Sequence, residues 1–323
     1  MTLPGPTKDS EPCSETAIDL SVIIVSYNTH ELLWNCLTSV APGCEGLSAE
    51  VFVVDNASSD GSADMVRKEF PKVRLVVNDS NLGFAAANNL GLERATGRYI
   101  VLLNSDTQIR QAAMTTLVEF MDARPAAGYC GPQLLNADGG LQASARRFPT
   151  FLSAAFSVLG LDRRYPHSRH ALSLHSVSRS GKPFPADWLS GACLMVRSAA
   201  VAQVGLMDAG FFLYFEETDW CRRMVCAGWE GWYVPQAEVV HLGGQSVARG
   251  EAAGPFSGDH PVHWMRSRRR YMRRYCGSVG LAFEELLLVV LYSVIWVRHR
   301  WRRGDHSRDK TRCAATALRF LLT

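Results

Sequence analysis

The feature that most constrains the fold is a series of short apolar, β-branched runs that each end in polar residues. They read "DLSVIIVSYN" from Asp19, "EVFVVDN" from Glu50, "VRLVVND" from Val73 and "YIVLLNSD" from Tyr99. Segments with apolar residues at helical spacing separate them, as in "THELLWNCLTSV". Runs without polar interruption are typical of strands buried on both faces. The alternation therefore predicts an α/β fold with a mostly parallel sheet flanked by helices.

The polar ends of these strands predict a binding crevice. In open α/β sheets, ligands bind outside the carboxyl ends of the strands. The side chains expected there are Ser26, Tyr27, Asp55, Asn56, Asn81 and Asp106. Neither G-x-G-x-x-G nor G-x-x-x-x-G-K-[ST] occurs, which excludes the standard dinucleotide and P-loop phosphate sites.

Asp106 is the first candidate for metal binding, because it follows a predicted buried strand directly. Mg²⁺ and Mn²⁺ are bound through one or two carboxylates, and substrate phosphates and water complete their coordination. Taken alone, an aspartate there is more often a turn or helix-cap residue than a metal ligand. His241 ends another predicted strand, "AEVVHLGG", and imidazole is compatible with Mn²⁺. Together they predict an incomplete metal site with room for a diphosphate.

A second candidate is the acidic group Glu216, Glu217 and Asp219 at the start of a predicted helix. Neighbouring carboxylates repel one another, which raises the pKa of at least one of them. Such a group is suited to act as a general base toward a hydroxyl. The alternative is an acidic helix cap that forms ion pairs with Arg222 and Arg223.

The C-terminal part is basic and contains an apolar segment. Residues 263–323 hold 14 Lys and Arg against 4 Asp and Glu, a balance of +10 that leaves −7 for the rest. The apolar core Leu286–Val297 has 12 residues, whereas a spanning helix needs about 20. We expect an interfacial helix with Trp296 and Trp301 at headgroup depth and the arginines of 298–303 against an anionic membrane surface. A spanning helix and a buried core helix are the alternatives, and nucleic acid is the less favoured partner.

Two further expectations concern segments without clear periodicity. The lack of periodicity over Phe151–Pro185 predicts a loop on the acceptor side of the crevice. Residues 1–18 predict a flexible leader, followed by a catalytic domain over 19–246 and a helical, membrane-associating extension over 247–323.

The nine dispersed cysteines favour reduced thiols over a disulfide framework or a zinc site.

Several segments together resemble family 2 glycosyltransferases of the GT-A fold, and most closely the bacterial rhamnosyltransferase branch. They are "SVIIVSYN", "VVDNASSDGS", "NLGFAAANNLG", "LLNSDT", "WLSGACLMVRSAAVAQVGLMDAGFFLYFEETDWCRRMVCAGW" and "VVHLGGQS". They occur in family order between about Asp19 and Ser246. The resemblance implies a GT-A fold and an enzyme that builds cell-surface polysaccharide.

The resemblance also implies roles for individual residues. Donor binding is assigned to Ser26, Tyr27, Asp55, Asn81, Gly83, Asn88, Asn104 and Asp106, metal binding to Asp106 and His241, catalysis to Glu217 or Asp219, and the acceptor side to Trp188, Gly191 and Glu216. Two positions depart from the family pattern. Asn104 stands where the first aspartate of the D-x-D element is usual, and Glu217 stands where the general base is usually aspartate. The first departure removes one negative charge from the metal site, and the second leaves the base open between Glu217 and Asp219.

The function implied is an inverting, metal-dependent transfer of rhamnose from dTDP-rhamnose to a lipid-linked or glycan acceptor. The expected location is the cytoplasm, with peripheral attachment to the inner face of the cell membrane. The alternatives are a UDP- or GDP-sugar donor, or a catalytically silent nucleotide-sugar-binding subunit. The substitution at Asn104 is what supports the silent subunit.

Overall fold

The computed structural model describes residues 18–174, 181–243, 260–300 and 305–322. The predicted leader thus lies almost wholly outside the described residues, as do 247–259 of the predicted extension. The strands are β1 (Leu20–Ser26), β2 (Ala49–Asp55), β3 (Arg74–Val77), β4 (Tyr99–Asn104), β5 (Thr107–Ile109), β6 (Ala127–Leu135), β7 (Leu141–Gln142), β8 (Ala145–Arg146), β9 (Phe184–Pro185), β10 (Trp188–Leu189), β11 (Cys193–Arg197) and β12 (Glu230–His241). The helices are α1 (His30–Gly43), α2 (Ser62–Glu69), α3 (Phe84–Leu92), α4 (Ala113–Asp122), α5 (Phe151–Val158), α6 (Leu161–Arg164), α7 (Ser198–Val204), α8 (Glu216–Cys226), α9 (His260–Arg300) and α10 (Asp305–Leu322).

The main sheet has the strand order β3-β2-β1-β4-β11-β6-β12-β5. Its first four strands are all parallel, as their connection through helices requires. β11 then enters antiparallel between β4 and β6, and β12 is again parallel to β6. A small second sheet joins β10 to β8. This mixed α/β sheet confirms the predicted fold class.

Helices cover both faces of the sheet, which explains the continuous apolar strands. Alternate residues of β1 point to opposite faces. Val22 and Ile24 join a core with α1 and α4, while Ile23 joins a second core with α3, α7 and α8. All three side chains are fully buried. Burial on both faces holds the strand ends, and the side chains that follow them, in fixed positions.

The C-terminal helices are packed on the domain. α9 is interrupted at Gly277, where φ is +70° and the backbone is not helical. Before this break, Tyr271 and Met272 pack with Phe211, which precedes α8. After it, Leu288 and other residues of α9 form a cluster with α10. α9 therefore connects the region around α8 to a separate helical layer.

The prediction of a loop over Phe151–Pro185 was wrong for its first half, where α5 and α6 form. The ring of Phe151 packs edge-on against Phe283 of α9 at 6.2 Å, and Phe151 also belongs to the cluster around Tyr271. The apolar side of α5 thus has a partner more than 100 residues away in the chain. Local periodicity could not indicate this helix because a distant element stabilises it.

Candidate active site

The strand ends meet at one edge of the sheet, as predicted. Ser26 is paired with Asp55 in the register of β1 and β2, and Val25 is paired with Asn104 in that of β1 and β4. The end of each strand therefore places a polar side chain beside its neighbour. On the far side, β12 runs antiparallel to β5 with His241 opposite Thr107, the residue after Asp106.

This pairing brings Asp106 and His241 together. The Nε2 atom of His241 lies 3.3 Å from the Oδ1 atom of Asp106. Asp106 is only 4% exposed, and its Oδ1 atom has no hydrogen-bond partner among the described residues. A buried carboxylate oxygen without a partner is costly unless a ligand completes it. A divalent cation would do so, and thus the pair fits the expected metal.

The imidazole of His241 is oriented by a residue that the sequence did not indicate. Its Nδ1 atom lies 2.6 Å from Oε1 of Gln142, and an amide oxygen only accepts, so Nδ1 carries the proton. Nε2 is then the acceptor nitrogen, turned toward Asp106 and 3.4 Å from the Nδ2 atom of Asn104. A second partner that fixes the tautomer in this way is characteristic of metal-binding histidines.

The described residues contain no group of three or more histidine, cysteine or acidic side chains able to hold a metal. Asp106 and His241 would thus supply two protein ligands to the expected metal, with an amide at Asn104 in place of a second carboxylate. Cations of the Mg²⁺ and Mn²⁺ type tolerate such a sparse set because phosphate oxygens and water complete their coordination.

The predicted donor pocket has a second open carboxylate. Asp55 is 1% exposed; its Oδ2 atom accepts the Ser58 amide at 3.1 Å, and its Oδ1 atom has no partner among the described groups. Beside it, Asn81 accepts hydrogen bonds from the Asn56 side chain at 2.7 Å and from the Gly83 amide at 2.9 Å. Asn81 thus shapes the turn that borders the pocket.

Position 83 requires a glycine because of its backbone conformation and because a side chain would not fit there. Its φ is +80°, and a Cβ atom would lie 2.4 Å from the carbonyl oxygen of Phe212. That same carbonyl accepts the amide of Phe84 at 2.7 Å. The turn therefore lies directly against the loop that precedes α8, so the donor and acceptor regions are in contact.

Three other predicted donor residues have different environments. Ser26 is fully buried, and its hydroxyl lies 2.9 Å from that of Thr29, which donates to Ser105. Asn88 is also buried and donates to the Phe84 carbonyl of its own helix. Tyr27 is 38% exposed, so of these three side chains it is the one that a ligand can contact.

The acidic cluster begins α8, as predicted, and follows two strained residues. Tyr214 and Phe215 have φ values of +70° and +69°, a region that bulky residues rarely adopt. α9 stabilises this conformation: the ring of Phe215 packs on Tyr271 at 5.4 Å, and Ser267 donates to the Leu213 carbonyl at 2.8 Å. The C-terminal helix therefore positions the first turn of α8.

Glu217 is partly buried, and its Oε2 atom has no hydrogen-bond partner among the described residues. Burial raises the pKa of Glu217, while the backbone amide of Gly191 and the guanidinium of Arg146 favour its charged form. Arg146 in turn lies over the ring of Trp188, 5.4 Å from its centroid. The structure thus places Trp188 and Gly191 at Glu217, where the acceptor side is predicted.

Phe84 links this group to the donor turn. A Cβ atom on Gly191 would lie 3.3 Å from the Phe84 ring and 4.0 Å from the Glu217 carboxyl carbon. Glu216, next to Glu217, is 3% exposed, and its pKa is raised well above its usual value by burial and by the Glu217 charge. A raised pKa in a cleft is typical of acid–base residues.

Asp219 differs from both glutamates because both of its carboxylate oxygens accept hydrogen bonds from other side chains. It is 0% exposed and accepts hydrogen bonds from Arg223 at 3.0 Å, Arg274 at 2.6 Å and the Tyr275 hydroxyl at 2.9 Å. The sequence alone does not distinguish Glu217 from Asp219 as the general base. In the structure, Asp219 attaches α9 to α8 and has no oxygen free for a substrate hydroxyl.

Sequence reasoning missed Arg146 and Gln142, which contact predicted site residues. Both come from the short strands β7 and β8, between the two motif-rich parts of the chain. The segment "GGLQASARR" that contains them has no apolar periodicity and matches none of the quoted motifs. Only the tertiary fold identifies them.

Comparison with known sequences shows similarity to glycosyltransferases. The family model described as glycosyl transferase family 2 matches residues 21–177. An N-acetylglucosaminyl-diphospho-decaprenol L-rhamnosyltransferase of Mycobacterium tuberculosis is 29% identical over 282 residues, covering 81% of this chain and 91% of the relative. The low-salt glycan biosynthesis hexosyltransferase Agl10 of Haloferax volcanii is 26% identical over 226 residues, covering 69% of this chain and 66% of the relative.

Solved structures share the fold. GalNAc-T7 with UDP, GalNAc and Mn²⁺ superimposes with a TM-score of 0.56 at 15% identity, over 95% of this chain and 56% of that chain. The mannosyltransferase PcManGT of Pyrobaculum calidifontis with GDP-Man and Mn²⁺ gives 0.50 at 16% identity, over 97% and 88%. These similarities confirm the predicted fold.

Proposed function

The chain belongs to glycosyl transferase family 2, and we propose that it transfers rhamnose from dTDP-rhamnose to a lipid-linked sugar. The observation that carries the proposal is a pair of carboxylates, Asp106 and Glu217, each with an oxygen that no described residue partners. Their regions are in contact through Gly83 and Phe84. The similarity to an N-acetylglucosaminyl-diphospho-decaprenol L-rhamnosyltransferase, which extends over 81% of the chain, supports rhamnose as the transferred sugar and a lipid-linked sugar as the acceptor.

In the proposed mechanism, Asp106 and His241 would hold a divalent cation, which would neutralise charge on the leaving nucleoside diphosphate. Asp55 and Tyr27 bind the nucleotide, and the turn held by Asn81 places it. Glu217 accepts the proton of the acceptor hydroxyl as the hydroxyl oxygen attacks the anomeric carbon. One displacement of this kind inverts the configuration at that carbon. Positioning of the two substrates provides much of the rate enhancement.

Glu217 is the proposed base because of its environment. Its Oε2 atom is open, whereas every oxygen of Asp219 is occupied by cations or a hydroxyl. Burial raises the pKa of Glu217, which suits a group that takes up a proton, while the Gly191 amide and the Arg146 charge oppose this rise. Trp188 and Gly191 provide a wall beside it that suits a sugar ring.

We further place the enzyme at the inner face of the cell membrane, attached through α9. Among the described helices, Val262–Arg298 is long and apolar enough to cross a membrane by length and composition, with 22% of its most apolar window buried. Beyond Gly277, one side of α9 exposes an apolar stripe of six residues at helical spacing. The stripe consists of Val279, Phe283, Leu286, Val290, Val294 and Val297, each more than half exposed. An exposed stripe of this kind suits insertion into the membrane interface.

A donor panel tests this function. Purified protein is given dTDP-rhamnose, UDP-hexoses and GDP-mannose with a polyprenyl-diphosphate N-acetylglucosamine acceptor, and nucleoside diphosphate release is measured with and without EDTA. We expect release from dTDP-rhamnose, lost with EDTA and restored by Mn²⁺. Preferred use of a UDP- or GDP-sugar would replace the donor assignment. Nucleotide-sugar binding without any transfer would indicate a silent subunit.

A further inference from the structure

The N-terminal half of α9 carries a cluster of arginines around a cavity. The cavity has a volume of about 620 Å³ and is lined by Arg266, Arg269, Arg270, Arg273, Arg274 and Phe320. The arginines repeat at intervals of three and four residues and so share one side of the helix. Guanidinium groups are well suited to phosphate oxygens because they donate in pairs from a planar fork.

The charges in this cavity are only partly neutralised. Asp208 pairs with Arg270 at 2.9 Å and with Arg274 at 2.7 Å, and Glu285 pairs with Arg269 at 2.5 Å. Arg266 and Arg273 are exposed and pair with no carboxylate among the described residues. Two unneutralised guanidinium groups at one cavity create a strong preference for an anion.

The cavity adjoins both α8 and the part of α9 beyond Gly277. Arg274 pairs with Asp219 at 2.6 Å, in the first turn of α8, two residues after Glu217. In addition, Arg269 pairs with Glu285, which lies beyond the break at Gly277 in the part of α9 that carries the exposed apolar stripe. Base, arginines and apolar stripe therefore follow one another along α8 and α9.

A lipid-linked sugar diphosphate has its parts in the same order: a hydroxyl on the sugar, a diphosphate and a hydrocarbon chain. We propose that the arginine cavity binds the diphosphate of the acceptor, so that the sugar reaches Glu217 while the lipid lies along the stripe. This inference rests on the proposed function for the identity of the acceptor. The excess positive charge and the adjacent apolar surface favour this occupant over a free anion such as inorganic phosphate.

The test removes the two unneutralised charges. The variant Arg266→Gln/Arg273→Gln breaks no ion pair of the described structure and is expected to fold normally. Its control, Lys68→Gln/Lys72→Gln, removes two exposed charges elsewhere. Geranyl diphosphate is titrated into each protein calorimetrically without divalent cation, which avoids the metal site. We expect the arginine variant to bind at least tenfold more weakly than the wild type and the control to bind normally.

Kinetics with soluble acceptors separate this site from membrane attachment. The arginine variant should raise the KM for a short-chain prenyl-diphosphate N-acetylglucosamine at least tenfold and leave the KM for an octyl N-acetylglucosaminide unchanged. Equal geranyl diphosphate binding by variant and wild type would overturn the proposal. So would normal KM values combined with loss of flotation on phosphatidylglycerol vesicles, which would assign the arginines to phospholipid. Failure of the proposed function has a different signature: no transfer by the wild type to either acceptor, with the titration result intact.

Discussion

Asp106 and Asp219 are both almost completely buried, yet their surroundings are opposite. Asp106 lies at the strand ends with one oxygen that no described group satisfies, and only the imidazole of His241 faces it. Asp219 lies where α8 meets α9 and accepts from two arginines and a tyrosine. A buried carboxylate with an open oxygen loses stability until a ligand completes it, whereas a saturated one contributes to the fold. The same residue type thus stabilises the fold at Asp219 and, in our proposal, binds a cation at Asp106.

The same contrast occurs within the first turn of α8. Glu217 keeps an open oxygen beside Gly191, while Asp219, two residues later, has none. Chemical type and spacing did not separate the two in the sequence. Their hydrogen-bond partners do, and the first two predictions test this distinction directly.

The largest effect is expected for Glu217→Gln. The amide keeps the size of the side chain but cannot accept the acceptor proton, so the transfer rate should fall on the order of 10³-fold. Nucleoside diphosphate release measures the rate, and the Kd for dTDP-rhamnose, measured in parallel, should stay within about twofold because the donor does not depend on this group. A variant that retained a tenth of the wild-type rate would exclude Glu217 as the base.

Asp219→Asn should instead act on folding. It leaves Arg223 and Arg274 without their buried partner, which should reduce the free energy of unfolding by about 3 kcal/mol. Urea denaturation measures this change. The control Asp64→Asn breaks an exposed pair with Arg67 and should have little effect. If Asp219→Asn abolished transfer with unchanged stability, the assignments of Asp219 and Glu217 would have to be exchanged.

Gln142→Leu tests whether Gln142 orients the imidazole of His241 for metal binding beside Asp106. Without the acceptor at Nδ1, the imidazole loses its fixed tautomer, and Mn²⁺ affinity should fall about tenfold or more. Calorimetric titration of Mn²⁺ in the presence of dTDP gives the affinity. As a control, Gln133→Leu removes a glutamine of β6 that donates to Glu238 of β12, and it should leave the Mn²⁺ affinity unchanged. Normal Mn²⁺ binding by Gln142→Leu would show that His241 needs no such support.

The smallest effect concerns pH and Glu216. Burial and the Glu217 charge raise its folded-state pKa, so the folded protein favours the protonated form. The corresponding stability is present at low pH and is lost as the pH rises through the raised pKa. Glu216→Gln should therefore raise the melting temperature at pH 8 by about 2 °C and leave it unchanged at pH 4. Parallel pH profiles of melting temperature for variant and wild type would contradict this account.

The parts that could be predicted from the sequence are those determined by local pattern. The run from Tyr99 to Asn104 and its polar end predicted both a buried strand and the position of Asp106. The strand that ends at His241 was predicted in the same way. In each case the residues that make the element also place the side chain.

The parts that could not be predicted depend on contacts between distant segments. α5 forms against α9, so its own sequence does not reveal it. Arg146 and Gln142 gain their importance from Glu217 and His241, which are 71 and 99 residues away. The difference between Glu217 and Asp219 likewise depends on Arg274, which lies in the C-terminal helix.

The central proposal is that the open oxygen of Asp106 would hold the cation that neutralises the donor diphosphate. Calorimetric titration of Mn²⁺ into the protein with dTDP, for the wild type and for Asp106→Asn, tests it most directly. We predict one Mn²⁺ bound per wild-type chain, at least tenfold weaker binding by Asp106→Asn, and a melting temperature for the variant at or above that of the wild type. Equal Mn²⁺ affinity in the two proteins would contradict the account.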